Sequence, residues 1–287
     1  MINLYLLGEK GYRAIEMLSN EDLLLIDNVI VGKDNAVIND YSAEITNFCV
    51  QNSVSFIVQN TTIATDKNQF SIAIGWRWLI KNNSNLIVFH DSILPRLRGF
   101  NPLVTALING DNEVGVTVLY GAEDFDSGDI IIQKKIRIKY PTKIQNVIQE
   151  LGNLYGEALC ELFQRIKTNN MCRYKQDNSY ASYSLWRDDK DYTIDWKKSS
   201  TYIKRFIDSV GFPYKGANTF LGGEKIIIKD SQVSNDVNIE NRTPGKVLFK
   251  KDGCFLIVCG EGMLCVSDFY DEKNNKINIE KFRLRFT

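Results

Sequence analysis

Histidine is almost absent from this sequence, which carries a single one, His90, among 287 residues. The six cysteines include no pair with the CxxC spacing typical of zinc sites, so we expect no metal centre. No stretch approaches the roughly 20 apolar residues of a membrane span, and the apolar run after Met1 lacks the features of a signal peptide. These absences predict a cytoplasmic protein with reduced thiols, in which Cys254, Cys259 and Cys265 are small buried hydrophobes.

A net charge is also lacking, since 35 lysines and arginines balance 35 aspartates and glutamates. A neutral chain generates no overall field that attracts a polyanion, which argues against bulk binding of nucleic acid or of a membrane surface. The content of 44% hydrophobic and 24% charged residues is ordinary for a soluble globular protein. A length of 287 residues accommodates two domains with a sizeable core.

Short apolar runs alternate with helical patterns through the first half of the chain. This β-α-β-α rhythm predicts an α/β fold, with a mostly parallel sheet covered by helices. Ligands bind beyond the carboxyl ends of the strands in such sheets, and His90 directly follows the fifth run. The predicted strands are Ile2–Leu7, Asn28–Val31, Val54–Val58, Ser71–Ile74 and Leu86–Phe89.

The second half of the chain changes character after a long helix predicted over Thr142–Lys167. The polar, irregular stretch Thr168–Asp191 is the best linker candidate, and we place the domain boundary between residues 187 and 188. Short alternating strands separated by glycines and turns then predict a small β-barrel or sandwich over residues 188–287. Its predicted strands are Lys225–Lys229, Lys246–Phe249, Cys254–Cys259, Met263–Asp268 and Phe282–Phe286, after a helix over Ser199–Val210.

His90 is the first candidate for chemistry, because an imidazole at the carboxyl edge of a sheet can exchange protons with a bound ligand. The turn GAEDFDSGD follows between two predicted strands, and its Asp124, Asp126 or Asp129 could reach the ring. A nearby carboxylate would orient the imidazole and favour its charged form. The alternatives are a histidine that merely satisfies a polar position and a turn whose acidic residues are solvated.

Arg96 and Arg98 lie in LPRLRGFNP, directly after the histidine. Guanidinium groups bind phosphate and carboxylate well, so both residues are candidates for an anion clamp. The alternative is a solvated surface loop.

Three segments of the chain together resemble a known family. HDSILPRLRGFNP, ALINGDNEVGVTV and DFDSGDIIIQ follow in order its pattern of a histidine with Ser-Leu-Leu-Pro-x-x-Arg-Gly, a Gly-Val-Thr strand and Asp-x-Gly-Asp. The family is that of the 10-formyltetrahydrofolate-dependent formyltransferases. AIGWRWLI, TIDWKKSSTYIKRFIDSVGFPYKGANTF and TPGKVL resemble further segments of the family, including its methionyl-tRNA and amino-sugar members. The resemblance implies a Rossmann-like domain followed by a small β-rich, OB-like domain.

The family's active site is an Asn-x-His pair with a distant aspartate. The resemblance places the histidine at His90 and the aspartate at Asp126, 36 residues later. The asparagine, whose amide helps to hold the formyl oxygen as it gains negative charge, corresponds to Val88 and is missing. A lost oxyanion donor costs about 3 kcal/mol of barrier. Either the enzyme is slow, or a backbone N–H, a water, Asn101 or a charged His90 replaces the amide.

By the same resemblance the co-substrate is 10-formyltetrahydrofolate, and its pterin would lie beside the fourth and fifth strands and the acidic turn. A neutral primary amine of the acceptor attacks the formyl carbon, while His90 stabilises the oxyanion and relays the proton. Asp126 orients the imidazole. The predicted cofactor-binding residues are Ile74, Trp76, Arg77, Trp78, Leu79, Val88, Ala122 and Asp124.

Two acceptors compete within the family, a nucleotide-linked amino sugar of glycan synthesis and methionyl-tRNA. The balanced charge favours the sugar, because tRNA binding needs several basic contacts to phosphate. Basic side chains would meet the diphosphate, and the base would stack on Tyr12 or Trp76. A homodimer is also implied, and a paralogue that binds these ligands without turnover is the alternative from another class. The predicted substrate-binding residues are Lys10, Tyr12, Arg96, Arg98 and Asn101.

Overall fold

The computed structural model describes residues 1–35, 37–60, 63, 69–80, 85–281 and 283–287. The chain divides into two compact units, each assembled from segments that are distant in sequence. The first comprises residues 1–103, 112–138 and 146–186, and the second comprises residues 104–111, 139–145 and 187–287. The domain boundary expected between residues 187 and 188 stays a prediction.

The first unit is built around one large sheet. The strands up to residue 137 are β1 (Ile2–Leu6), β2 (Ile26–Val31), β3 (Phe56–Val58), β4 (Phe70–Ile74), β5 (Leu86–His90), β6 (Arg98–Gly99), β7 (Glu113–Tyr120) and β8 (Ile130–Arg137). Seven of these strands join in the order β3-β2-β1-β4-β5-β7-β8. The first five in this order pair in parallel, and β7 and β8 add antiparallel pairs. Every residue of the central β1 is buried, as expected for a parallel strand covered on both faces.

Helices cover this sheet, and the longest of them contributes much of the core. In chain order the helices are α1 (Gly8–Glu16), α2 (Asn20–Leu23), α3 (Ser42–Gln51), α4 (Pro102–Asn109), α5 (Ile144–Lys167) and α6 (Ser200–Ser209), of which α4 lies largely and α6 wholly in the second unit. In α5, Tyr155, Leu159 and Phe163 recur at every fourth position and are buried in the same cluster as Leu4 and Ile72 of the sheet. This arrangement confirms the predicted α/β fold. Among the described helices, none is long and apolar enough to cross a membrane.

The residues after α5 are an ordered part of the first unit, which corrects the linker predicted from their polar composition. Tyr174 exchanges two backbone hydrogen bonds with Ile130 of β8, at 2.8 and 3.0 Å. Further along, β9 (Tyr183–Ser184) pairs in parallel with β6. We call residues 174–184 the strap, because they tie the loop that follows β5 to the start of β8.

The second unit contains two antiparallel sheets. Its strands are β10 (Ala217–Leu221), β11 (Glu224–Ile228), β12 (Gln232–Ser234), β13 (Val247–Lys251), β14 (Cys254–Val258), β15 (Met263–Val266), β16 (Phe269–Tyr270) and β17 (Lys276–Ile277). They form the sheets β10-β11-β16-β17 and β12-β15-β14-β13. Near the end of the chain, Phe286 bridges to Leu221 and Arg285 bridges to Lys246, so this segment touches both sheets. The predicted strand-rich C-terminal domain is confirmed.

The predicted strand over Phe282–Phe286 is reduced to the two bridges, and Phe282 lies outside the described residues. The cysteine prediction is also corrected in part. Cys259 is buried with a thiol, as expected, whereas Cys254 and Cys265 are half-buried and joined by a disulfide between β14 and β15. A diagonal position on neighbouring antiparallel strands brings these two side chains together, which the sequence spacing does not reveal.

Candidate active site

His90 is the last residue of β5 and lies at the carboxyl edge of the parallel strands, where the sequence places it. Its side chain is 8% exposed. Nε2 lies 2.8 Å from the carbonyl oxygen of Leu97. A carbonyl oxygen can only accept, so Nε2 carries a hydrogen and donates it. This bond fixes the imidazole and turns Nδ1 toward another group.

That group is the carboxylate of Asp126, in the acidic turn between β7 and β8. Oδ2 of Asp126 lies 3.4 Å from Nδ1 of His90 and accepts the backbone N–H of Gly99 at 2.8 Å. Asp126 has a φ of +53°, in the left-handed region that few residues other than glycine adopt. Of the other acidic candidates, Asp129 pairs with Arg173 at 3.3 Å. The turn therefore presents Asp126 to the imidazole.

Two side chains of the antiparallel strands, buried Thr117 and half-buried Gln133, hold the loop that follows His90. Thr117 of β7 donates to the carbonyl of Ser92 at 2.7 Å and accepts the N–H of Leu94 at 3.2 Å. Gln133 of β8 donates to Thr117 Oγ1 at 2.9 Å and to the carbonyl of Leu94 at 3.0 Å. Sequence reasoning missed both residues, although Thr117 lies in the Gly-Val-Thr motif that could have drawn attention to it.

Arg98 is buried, with 3% of its surface exposed, which argues against the anion clamp predicted for it. Its guanidinium donates to Oε1 of Gln176 from Nε at 3.1 Å and from Nη2 at 2.7 Å. Nη2 also donates to Oδ1 of Asn178 at 2.8 Å. A buried cation bound by two amides inside the protein is not presented to a substrate phosphate. Arg96, by contrast, is exposed, and its substrate contact stays a prediction.

Lys10 forms an ion pair beside the sheet edge. Its Nζ contacts one carboxylate oxygen of Asp91, and the other oxygen accepts the hydroxyl of Tyr155 from α5. Burial would raise the pKa of Asp91, but the charge of Lys10 and the two hydrogen bonds outweigh it and lower the pKa. Burial and the Asp91 carboxylate raise the pKa of Tyr155 well above its ordinary value. A diphosphate at the predicted position would therefore compete with the Asp91 carboxylate for the ammonium group of Lys10.

The predicted pterin-binding stretch from Ile74 to Leu79 follows the carboxyl end of β4. Ile74 is completely buried, whereas Leu79 is exposed. Trp76 packs edge-on against Tyr5 and Trp78, with ring centroids 5.1 and 4.9 Å apart. The Nε1–H of Trp76 is buried and has no acceptor among the residues that the structure describes. An aromatic cluster with one unused donor thus stands at this edge.

Other predicted residues are spread along β5 and the neighbouring loops. Val88 pairs in register with Ala73 of β4 and packs against apolar side chains, so it offers no polar group in place of an asparagine. Arg77 pairs with Asp34 at 2.6 Å. The backbone carbonyl of Asp124 accepts a hydrogen bond from Ser127 at 3.0 Å.

Three further predicted residues have the following surroundings. Ala122 is exposed in the acidic turn. Tyr12 stacks on Tyr41 at 5.8 Å. Asn101 is half-buried with a φ of +48°. Their predicted ligand contacts stay predictions.

An exposed aromatic pair, missed from the sequence, adjoins Asp126 and the glycine that binds its carboxylate. Phe125 precedes Asp126, and Phe100 follows Gly99, whose N–H binds the Asp126 carboxylate. The centroids of the two rings lie 5.5 Å apart. Phe100 is 46% exposed and Phe125 is 67% exposed. Exposed aromatic rings next to a titratable pair are suited to contact a flat ligand.

Two sequence models of a known family match this chain. The sequence model described as "Formyl transferase" matches residues 70–162, and that described as "Formyl transferase, C-terminal domain" matches residues 188–286. The methionyl-tRNA formyltransferase of Caldanaerobacter subterraneus subsp. tengcongensis is 30% identical over 67% of this chain and 61% of the relative. The chain thus spans less than two thirds of that relative. The methionyl-tRNA formyltransferase of Halothermothrix orenii is 30% identical over 76% of this chain and 70% of the relative.

Two solved structures share the fold over almost the whole chain. WlaRD, a sugar 3N-formyl transferase crystallised with dTDP and 5-N-formyl-THF, superposes with a TM-score of 0.71 at 20% identity, over 97% of this chain and 98% of its own. The N-formyltransferase from Helicobacter canadensis, in complex with folinic acid and dTDP-3-aminofucose, gives 0.70 at 19% identity, over 94% and 99%. Together, the matched segments and the extent of the likeness show that this chain belongs to the formyltransferase family.

Proposed function

We propose that this chain transfers a formyl group from 10-formyltetrahydrofolate to the primary amine of a nucleotide-linked amino sugar. The observation that carries the proposal is the His90–Asp126 contact at the carboxyl edge of the sheet. Further support comes from the two sugar enzymes, which match nearly the full length of both chains and were crystallised with formylated folates and with dTDP or a dTDP-linked amino sugar.

The reaction needs one group that takes up a proton and returns it. The acceptor amine loses a proton as its nitrogen bonds to the formyl carbon, and N10 of tetrahydrofolate gains one as the old C–N bond breaks. His90 and Asp126 can hold that proton between Nδ1 and Oδ2. Because Nε2–H is committed to the Leu97 carbonyl, the doubly protonated ring donates to an acceptor at each nitrogen. A positioned pair of this kind contributes about 10²–10⁴-fold to a rate.

The residues at the edge of β4 and β5 fit a flat, partly polar co-substrate. Trp76 offers a buried N–H without an acceptor in the described chain, beside apolar side chains of the two strands. Ligand sites commonly combine apolar walls with a few well-placed polar groups. We infer that the pterin binds here and that the Phe100–Phe125 pair contacts an aromatic part of one of the two substrates.

The formyl oxygen gains negative charge during the transfer, and Val88 supplies no donor for it. Both ring nitrogens of His90 already face acceptors, the Leu97 carbonyl and the Asp126 carboxylate, so Asn101 or a backbone N–H is the candidate donor within this chain. The proposal therefore predicts a slower enzyme than one with an asparagine at position 88, since one oxyanion donor is worth about 3 kcal/mol.

Methionyl-tRNA is the second candidate acceptor, because the curated relatives at about 30% identity are methionyl-tRNA formyltransferases. The balanced charge of the chain argues against tRNA as the acceptor. Affinity for tRNA comes largely from basic side chains that displace counterions from the phosphates, and a neutral chain has no excess of such side chains. We also propose a homodimer that acts in the cytoplasm in the synthesis of a cell-surface glycan such as lipopolysaccharide.

The experiment that tests the function presents the protein with 10-formyltetrahydrofolate and a panel of acceptors. The panel contains dTDP-, UDP- and GDP-linked amino sugars and methionyl-tRNA, and tetrahydrofolate release is followed by absorbance. We expect turnover with one class of sugar nucleotide and a loss of about 10²–10⁴-fold in kcat for His90→Ala and for Asp126→Ala. Formylation of the tRNA alone would replace the sugar, and binding without release would indicate a non-catalytic paralogue.

A further inference from the structure

The strap passes close to both residues of the proposed catalytic pair. At one end, the N–H of Ser182 binds the carbonyl of Pro95 at 3.3 Å, and its side chain accepts the N–H of Leu97 at 3.0 Å. Leu97 is the residue whose carbonyl holds His90. Between the two ends of the strap, Gln176 reaches the turn that carries Asp126.

The amide of Gln176 is fully used. Its Nε2 donates to the backbone carbonyl of Asp126 at 2.7 Å and to that of Gly128 at 2.8 Å. Its Oε1 accepts from Nε and Nη2 of Arg98, at 3.1 and 2.7 Å. An amide has two donor hydrogens and two acceptor lone pairs, so every one of them has a partner here.

The orientation of this amide is therefore determined. A rotated amide would aim its NH₂ group at the Arg98 cation and its oxygen at two carbonyl oxygens. Arg98 is buried and charged, and it excludes that alternative. Arg98 thus fixes Gln176, and Gln176 fixes the backbone on either side of Ser127.

Such support stabilises Asp126 in its left-handed backbone, which costs energy for a residue with a side chain although aspartate tolerates it better than most. The bond from Gln176 to its carbonyl holds the peptide that follows the Cα atom, and the Gly99 N–H holds its carboxylate. With both ends restrained, the 3.4 Å approach of Oδ2 to His90 is preorganised.

We propose that Gln176 is a positioning residue for Asp126 and acts on formyl transfer through the conformation of the acidic turn. This inference rests on the proposed roles of His90 and Asp126. The Gln176 amide contacts the turn and Arg98, and not the His90–Asp126 pair itself. Arg98, predicted as a substrate ligand, serves as the group that orients the amide.

The discriminating variant is Gln176→Glu. A carboxylate of the same shape still accepts from Arg98, so the buried cation keeps its partner and the fold is retained. It cannot donate to the carbonyls of Asp126 and Gly128, and the turn must move away. Since a displacement of about 1 Å in a catalytic group costs about 10²-fold, we expect kcat to fall by about that factor while both KM values change less than about threefold.

Gln69→Ala is the matched control. Gln69 is also a half-buried amide, and it donates to Asp27 at 2.6 Å at the opposite, amino-terminal edge of the sheet. We expect kcat within about twofold of the unsubstituted protein in this variant. An equal loss of kcat in Gln69→Ala and Gln176→Glu would show general destabilisation and overturn the positioning role.

A second readout is independent of turnover, because His90 is the only histidine and its ring nitrogens give the only imidazole signals in a ¹⁵N spectrum. We expect Gln176→Glu to move the Nδ1 signal toward that of Asp126→Ala, while Gln69→Ala leaves it in place. An unchanged Nδ1 signal in Gln176→Glu would refute the inference even if the protein formylates sugars. A shifted signal in a protein without turnover would instead uphold the positioning role and reject only the proposed function.

Discussion

Replacement of Lys10 by methionine tests the electrostatics of the sheet edge, and we expect it to lower the free energy of unfolding by about 3 kcal/mol. The side chains of Lys10 and Asp91 are only 17% and 18% exposed, so removing the cation leaves a carboxylate largely buried. Breaking a buried pair from one side costs about 3–5 kcal/mol, and the remaining exposure places this pair at the lower end. Methionine retains the aliphatic stem, which limits the loss of packing.

The pH dependence of this effect has a definite sign. In the unsubstituted protein the pKa of Asp91 is lowered from its ordinary 3.8, so the pair stabilises the fold above that value and is lost as the pH falls through the folded-state pKa. Without Lys10, burial dominates and raises the pKa of Asp91. The substituted protein then gains stability as its carboxyl becomes protonated. The deficit of Lys10→Met should therefore shrink between pH 7 and about pH 4.

Chemical and thermal unfolding at several pH values measure this deficit, with Asp91→Asn and the double variant completing a cycle. A loss of about 3 kcal/mol corresponds to a decrease in Tm of about 6–12 °C for a unit of this size. We expect the double variant to be more stable than the sum of the single losses by about 1–3 kcal/mol. Additive losses, or a deficit that grows as the pH falls, would refute the account of a buried, compensated pair.

Two further predictions concern other parts of the chain. Iodoacetamide at pH 8 should modify exposed Cys172 in the native protein well before Cys49, because burial raises the pKa of the Cys49 thiol to about 11. Peptide mass spectrometry measures the labelling of each cysteine, and equal labelling of the two would contradict this prediction. Trp196→Phe removes the buried hydrogen bond from Nε1 to Thr219 at 2.9 Å. We expect the free energy of unfolding of the second unit to fall by about 1–2 kcal/mol, and an unchanged unfolding transition would contradict that cost.

Regular elements of the first unit could be predicted because their patterns are local. The apolar runs of a parallel sheet stand out in sequence, and β2, β4 and β5 begin within two residues of the predicted strands. The histidine at the end of β5 followed from the same pattern. The short strands β6, β9, β16 and β17 were missed, because strands of two residues have no measurable alternation.

The contacts between distant loops could not be predicted in the same way. The sequence offered three acidic residues as partners of His90, and family resemblance rather than spacing selected Asp126. Arg98 looked like a surface ligand, since nothing near it in sequence shows that Gln176 will enclose its charge. The polar composition of the strap resembled a linker, because polar residues that bind within the protein and solvated ones have the same composition and differ only in their partners.

The strap also bears on where this protein can be divided. The segment that matches the "Formyl transferase" model ends at residue 162, inside α5, and a fragment cut there would retain all seven strands of the main sheet. It would nevertheless expose the guanidinium of Arg98 and release the acidic turn from its anchor. An excised first unit would therefore have to extend through residue 184 to preserve the candidate site, even though every strand of its main sheet lies before that point.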